Sequence, residues 1–205
     1  MLRTNIQFAQ IDKSIQRILI TSTCPGEGKS TTISNLGIAF AQEGKNVVLV
    51  DADLRNPSLH KYFKKSNRDG ITNVLTGQSE LLQSLHETHV DNLTLLTAGP
   101  APHNPAEMLS SNKMDHLIEE LCASYDYVLF DSPPTLAVTD SQVLSAKCDG
   151  VVFVVSSGKV KNELVKKAIA RLQHVQAKIL GVVLNKKEYD GKNQFYYSYD
   201  GSNPE

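Results

Sequence analysis

The 205-residue sequence predicts an α/β fold, with a mainly parallel central sheet and helices on both faces. Short unbroken apolar runs, too brief to be helices, recur along the chain, and stretches with helical apolar spacing separate them. Strands read as unbroken apolar runs when helices cover both sides of their sheet. A third observation locates the chemistry: a glycine-bearing run, Thr23 to Thr31, joins the first strand pattern to the first helix pattern. Open α/β sheets bind ligands at such carboxyl ends of strands.

Ile18-Leu19-Ile20 is the first strand. Ile33, Leu36, Gly37 and Phe40 then fall at i, i+3, i+4 and i+7, one helix face, closed by Gly44. Val47-Val48-Leu49-Val50 is a buried strand, and Leu93 to Leu96, Tyr127 to Phe130, Val151 to Val155 and Ile179 to Leu184 read the same way. Between them, Met114, Leu117, Ile118 and Leu121 form one helix face, and Val165, Ala168, Ile169 and Leu172 form another. The length suits one domain of ordinary size.

The run Thr23-Cys24-Pro25-Gly26-Glu27-Gly28-Lys29-Ser30-Thr31 has the composition and placement of a phosphate-binding loop. Gly26 and Gly28 let the backbone turn its N–H groups toward an anion, Lys29 reaches β- and γ-phosphate oxygens, and Ser30 offers a hydroxyl to Mg²⁺. The following helix adds the positive end of its dipole. Thr23 stands where the motif usually has its first glycine. Nucleotide-binding residues are therefore expected at Pro25, Gly26, Glu27, Gly28, Lys29, Ser30 and Thr31.

Two acidic sites fall at other strand ends. Asp51-Ala52-Asp53-Leu54-Arg55 follows Val47 to Val50. If the strand continues that far, Asp51 and Asp53 share a face and both turn toward a metal–phosphate centre, one near metal and one as proton acceptor. Asp131-Ser132-Pro133-Pro134 follows Tyr127 to Phe130, and an Asp ending a buried strand is suited to hold Mg²⁺ directly or through water. Asn185, after the last strand, can present an amide to adenine or simply end the strand in a turn.

Lys plus Arg number 21 and Asp plus Glu 22, so no overall charge draws the chain to nucleic acid or anionic lipid. The one local bias read here, nine Lys or Arg against three acids from Ser156 to Lys192, is that of a solvated helix face. Three unpaired cysteines, Cys24, Cys122 and Cys148, indicate a reducing, cytosolic setting. The histidines show no ligand spacing, and no apolar run reaches the ~18 residues of a membrane helix. No signal-peptide pattern opens the chain. The final stretch holds four of seven tyrosines, Tyr189, Tyr196, Tyr197 and Tyr199, within eleven residues of polar, glycine-containing sequence. Its organisation is thus read as a domain over 1–187 and a flexible tyrosine cluster over 188–205.

With these segments assembled, the chain resembles the bacterial tyrosine kinases of capsule and exopolysaccharide loci. Ile71 to Gly77 and Ala98 to Leu109 also look like that family's linking segments. The resemblance implies a P-loop fold related to the cell-division and partition ATPases of the MinD/ParA group. It also implies ATP and Mg²⁺ as cofactors and Lys29, Asp51, Asp53 and Asp131 as catalytic residues. Ser30, Asp53 and Asp131 would hold the metal, Asp51 would take the proton of an incoming tyrosine, and Arg55 and Asn185 would join the nucleotide site. Tyr196, Tyr197 and Tyr199 would be phosphorylated between subunits.

Implied partners are the cytoplasmic tail of a transmembrane activator or polysaccharide co-polymerase, protein substrates, a cognate tyrosine phosphatase and a second copy of the chain. Activator binding would bring a cytoplasmic protein to the inner membrane face. The alternative is a positioning ATPase acting on membrane or DNA. Those ATPases carry a second loop lysine where this chain has Cys24, which favours the kinase branch. The family's E-x-x-R-x-x-R helix is reduced here to what looks like its last arginine, Arg3, which leaves ring assembly through that helix open.

Overall fold

The computed structural model describes residues 2–8 and 14–187. One sheet organises them. Its strands are β1 (Arg17–Ser22), β2 (Val47–Asp51), β3 (Leu85–Glu87), β4 (Leu93–Leu96), β5 (Tyr127–Asp131), β6 (Gly150–Ser156) and β7 (Ile179–Asn185). They lie in the order β3-β4-β2-β5-β1-β6-β7, all paired in parallel except β3 with β4. The helices are α1 (Leu2–Phe8), α2 (Lys29–Ala41), α3 (Leu59–Tyr62), α4 (Ile71–Thr76), α5 (Leu81–Ser84), α6 (Pro105–Ser110), α7 (Asn112–Ser124), α8 (Asp140–Ser145) and α9 (Asn162–His174).

Side chains of the inner strands alternate between two cores, as the period of two requires. Leu19, Val48, Val50, Val128, Phe130, Val151 and Phe153 point to the face covered by α4, α7 and α9. Ile18, Ile20, Val47, Leu49, Leu129, Val152 and Val154 point to the opposite face, under α1, α2 and α3. Both faces are thus dry, which is why these strands read as unbroken apolar runs. The helix faces follow suit: Ile33, Leu36, Gly37 and Phe40 are buried on α2, and Met114, Leu117, Ile118 and Leu121 on α7. Gly44 closes the first of these in the left-handed region at φ 79°.

Three details depart from the sequence reading. β7 is an edge strand, not a buried one, with Val182 and Leu184 each 55% exposed. Nothing in an apolar run distinguishes an edge from a centre. β2 ends at Asp51, so Asp53 lies in the following loop and does not share a strand face with it. The short antiparallel β3 has no distinct apolar run and was not foreseen.

Topology sets the site. The chain leaves β1, skips a position to form β2, and later fills the gap with β5, so the carboxyl ends of three strands meet. Asp131 stands in register with both Ile20 and Asp51.

Candidate functional site

The loop after β1 wraps the start of α2. Gly26 and Gly28 adopt φ 78° and 99°, a region where a side chain would be strained. Space also demands glycine at 28, because a Cβ there would come 2.1 Å from Asn185 Nδ2. Asn185 donates from Nδ2 to the Glu27 carbonyl at 2.8 Å, and Lys186 Nζ donates to the Gly26 carbonyl at 2.7 Å. The last strand thus braces the loop from behind.

Glu27 is turned inward. Its carboxylate accepts from the Cys24 N–H at 2.7 Å and the Ser156 N–H at 2.9 Å, and the residue is buried. Any contact it makes with a nucleotide is through its backbone. Cys24 is no activated thiol: burial, then the Glu27 charge, push its pKa up.

Five residues named from the sequence converge here. Lys29, first residue of α2, is buried, and its charge pulls down the pKa of both Asp53 and Asp131. Ser30 Oγ donates to Asp131 Oδ2 at 2.5 Å and accepts from Ser58 Oγ at 2.8 Å. Asp51 Oδ2 accepts from the N–H groups of Ser58 and Leu59, both at 2.9 Å, which ties α3 to the end of β2. Asp53 Oδ1 accepts from the Asn56 N–H at 3.0 Å.

Desolvation dominates the acid–base behaviour of this cluster. It pushes the Asp51 carboxyl up to about 8, helped by the neighbouring Asp131 charge and opposed by the Leu59 and Ser58 amides. Asp131 is pushed up to about 6 by burial, against the Ser30 hydrogen bond and the Lys29 charge. Asp53 is also raised by burial.

These residues fit a hard divalent cation. Asp51 Oδ1 and Asp131 Oδ1 are buried without a hydrogen-bond partner among the described residues, a costly state unless something else meets them. No group of three or more His, Cys, Asp or Glu suited to a metal occurs among the described residues. The donor set is therefore a hydroxyl and carboxylates, with room for water and phosphate oxygens, as Mg²⁺ prefers.

Two further positions named from the sequence make side-chain contacts of their own. Arg55 is held by Asp140, with Nε to Oδ2 at 2.9 Å and Nη2 to Oδ1 at 3.1 Å. Asp140, fully buried at the start of α8, was missed by sequence reasoning, and only the context of a buried-helix start could have flagged it. Thr31 turns its hydroxyl outward to the Tyr62 hydroxyl, 3.0 Å away. Tyr196, Tyr197 and Tyr199 lie outside the described residues.

Comparison with known proteins fits this geometry. A family model described as an AAA domain matches residues 15–186. The tyrosine-protein kinase YwqD of Bacillus subtilis is 47% identical over 96% of this chain and 83% of its own length. The chain belongs to the bacterial tyrosine-kinase family. Its enzyme class is accordingly that of protein-tyrosine kinases. The putative tyrosine-protein kinase CapB of Staphylococcus aureus is 37% identical, over 97% of this chain and 87% of that protein.

Among solved structures, the chimerical protein CapA2B2 superposes with a TM-score of 0.89 at 39% identity, covering 92% of this chain and 83% of that one. The kinase domain of the Escherichia coli tyrosine kinase ETK gives 0.89 at 31% identity, over 97% and 78%. The septum site-determining protein MinD of Pyrococcus horikoshii, complexed with Mg-ADP, shares the fold at a TM-score of 0.70 and 24% identity, over 82% and 69%. The fold is that of the P-loop nucleotide-binding proteins. No helix among the described residues is long and apolar enough to cross a membrane.

Proposed function

We propose that this tyrosine kinase moves the γ-phosphoryl group of Mg-ATP to tyrosines of its own 188–205 segment, between copies, and thereby regulates capsular or exopolysaccharide synthesis. The observation that carries the reading is the meeting of Lys29, Ser30, Asp51, Asp53 and Asp131 at three adjacent strand ends, with two buried carboxylate oxygens that have no partner among the described residues.

Lys29 and the loop N–H groups of Gly26 to Thr31 would bind the β- and γ-phosphates. Ser30, Asp53 and Asp131 would hold Mg²⁺ and its waters, and the metal supplies charge neutralisation between the phosphates. Asp51, whose Oδ1 is buried without a hydrogen-bond partner among the described residues, would accept the tyrosine proton once the bound Mg-nucleotide has displaced its own. Arg55, oriented by Asp140, would face the phosphates. A cleft of about 510 Å³ lined by Ser157, Gly158, Lys159, Lys186 and Lys187 opens beside Asn185 and has room for the base. The 1–187 segment would be the catalytic domain. The activator's cytoplasmic tail would recruit it to the inner membrane face, and a cognate phosphatase would reverse the modification.

The test is incubation with Mg-ATP, with and without a candidate activator tail, and phosphotyrosine mapping by mass spectrometry. Label is expected on Tyr196, Tyr197 or Tyr199. It should vanish in Lys29→Met and fall roughly a hundredfold in Asp51→Ala, the scale of a lost general base. ATP hydrolysis stimulated by DNA or lipid, without phosphotyrosine, would instead favour the positioning-ATPase reading.

A further inference from the structure

A second basic stretch lies beside the candidate site. From Leu54 to Arg68 the chain carries five Lys or Arg and no Asp or Glu, in a molecule whose formal charge is −1. Arg55 is taken by Asp140, but Lys61, Lys64, Lys65 and Arg68 form no ion pair among the described residues. Lys61, Lys64 and Arg68 are exposed and Lys65 is half-buried. Without an ion pair among the described residues, these four cations give the surface beside the site a local positive potential that favours an anionic partner.

Its position relates it to the chemistry. α3, which carries Lys61, is anchored by Asp51 at its first turn, and Tyr62 at its end reaches Thr31 on the phosphate loop's helix at 3.0 Å. Lys64 sits in the left-handed region at φ 53°, which favours glycine, while the Lys65 N–H closes the helix onto the His60 carbonyl at 2.8 Å. The bend sets Lys64 and Lys65 around a cavity of about 400 Å³ that Tyr62, Phe63 and His89 complete. Phe63 and His89 form an aromatic wall, with ring centroids 6.1 Å apart.

We propose that this basic, aromatic-walled strip is the surface on which the acceptor docks, and that its occupant is the 188–205 segment of a second copy of the chain. The proposal rests on the function proposed above. That segment is tyrosine-rich and carries Glu188, Asp190, Asp200 and Glu205 against Lys192 alone. Its charge complements the strip, and its aromatic rings suit the cavity wall. Geometry favours a second copy. Lys186, just before the segment, follows β7 and is bound to Gly26, whereas the strip follows β2, with β5, β1 and β6 lying between those two strands. A segment reaching the strip of its own chain would run across the loop that receives the phosphates.

The experiment pairs a donor whose Tyr189, Tyr196, Tyr197 and Tyr199 are changed to Phe with an acceptor carrying Lys29→Met and an intact tail. Donors with and without K61E/K64E/K65E are compared, with the activator tail present in both. The triple variant should raise the KM for the acceptor about tenfold, the scale of three screened surface charges, with kcat and the KM for ATP unchanged. The KM should also lose most of its dependence on ionic strength. Anisotropy of a labelled 188–205 peptide, which needs no catalysis, should show the same loss of affinity, as should a peptide with its acids changed to Lys.

An unchanged acceptor KM and peptide affinity would overturn the docking surface while leaving the kinase reading intact. So would a variant whose only loss is sedimentation with phosphatidylserine vesicles or binding to DNA, which would assign the strip to those partners. Absence of label with the unaltered donor, alongside normal peptide binding to the strip, would sink the kinase reading and not the surface.

Discussion

Asp51 and Asp131 show how burial alters what a residue does. Both begin from an ordinary carboxyl value of 3.8 and are raised in the fold, to about 8 and about 6. The folded protein therefore binds more protons than the unfolded chain across this range. The stability that protonation confers is fully present below about pH 4, declines as pH rises through about 6 and 8, and is flat above. Mg²⁺ with nucleotide must displace those protons, so its binding should tighten with pH and release protons. Melting scans should show a larger Mg-nucleotide increment in Tm at pH 8 than at pH 6, and titration calorimetry in two buffers should show the proton release. An increment that does not grow with pH would count against Asp131 as a metal ligand and against Asp51 as the acceptor beside it. At this scale Lys29, Ser30 and Asp131 were legible because their motif is local. The roles of Glu27 and Asn185 were not, since their partners lie 129 and 158 residues away in sequence.

Helix α2 shows the same contrast for an element. Its apolar spacing was readable, but what Gly37 meets was not. The helix approaches β2 so closely that a Cβ at Gly37 would lie 2.8 Å from Leu49 Cδ2 and 3.3 Å from Leu93 Cδ1. Gly37→Val should overpack this contact and lower stability by about 1–3 kcal/mol. At about 2–4 °C per kcal/mol for a domain of this size, differential scanning calorimetry would register the loss. A Tm equal to that of the unaltered protein would mean that the helix backs away without strain. β7 marks the limit of pattern reading, because an apolar run states that a strand is wanted and not how many neighbours it has. The start of α3 is likewise set by a tertiary contact, since Asp51 accepts from the Ser58 and Leu59 N–H groups of its first turn.

Across the whole molecule, assembly turns on little. Arg3 on α1 pairs with Glu43 at 2.8 Å and donates to the Ala39 carbonyl at 3.3 Å, so this arginine is engaged within its own chain. Light scattering should accordingly give a monomer or small oligomer, and a stable large ring would show that another surface supports assembly. The sequence alone determined the parallel α/β architecture, the phosphate loop and the two acidic strand ends at Asp51 and Asp131, because apolar periodicity and short motifs are local properties of a chain. Strand order, the proton affinity of Asp51, the grip of Asp140 on Arg55 and the placing of the basic strip beside Thr31 were decided only in three dimensions. Each depends on contacts between groups distant in sequence, and at Asp51 on the desolvation that burial among them brings, which no segment sets by itself.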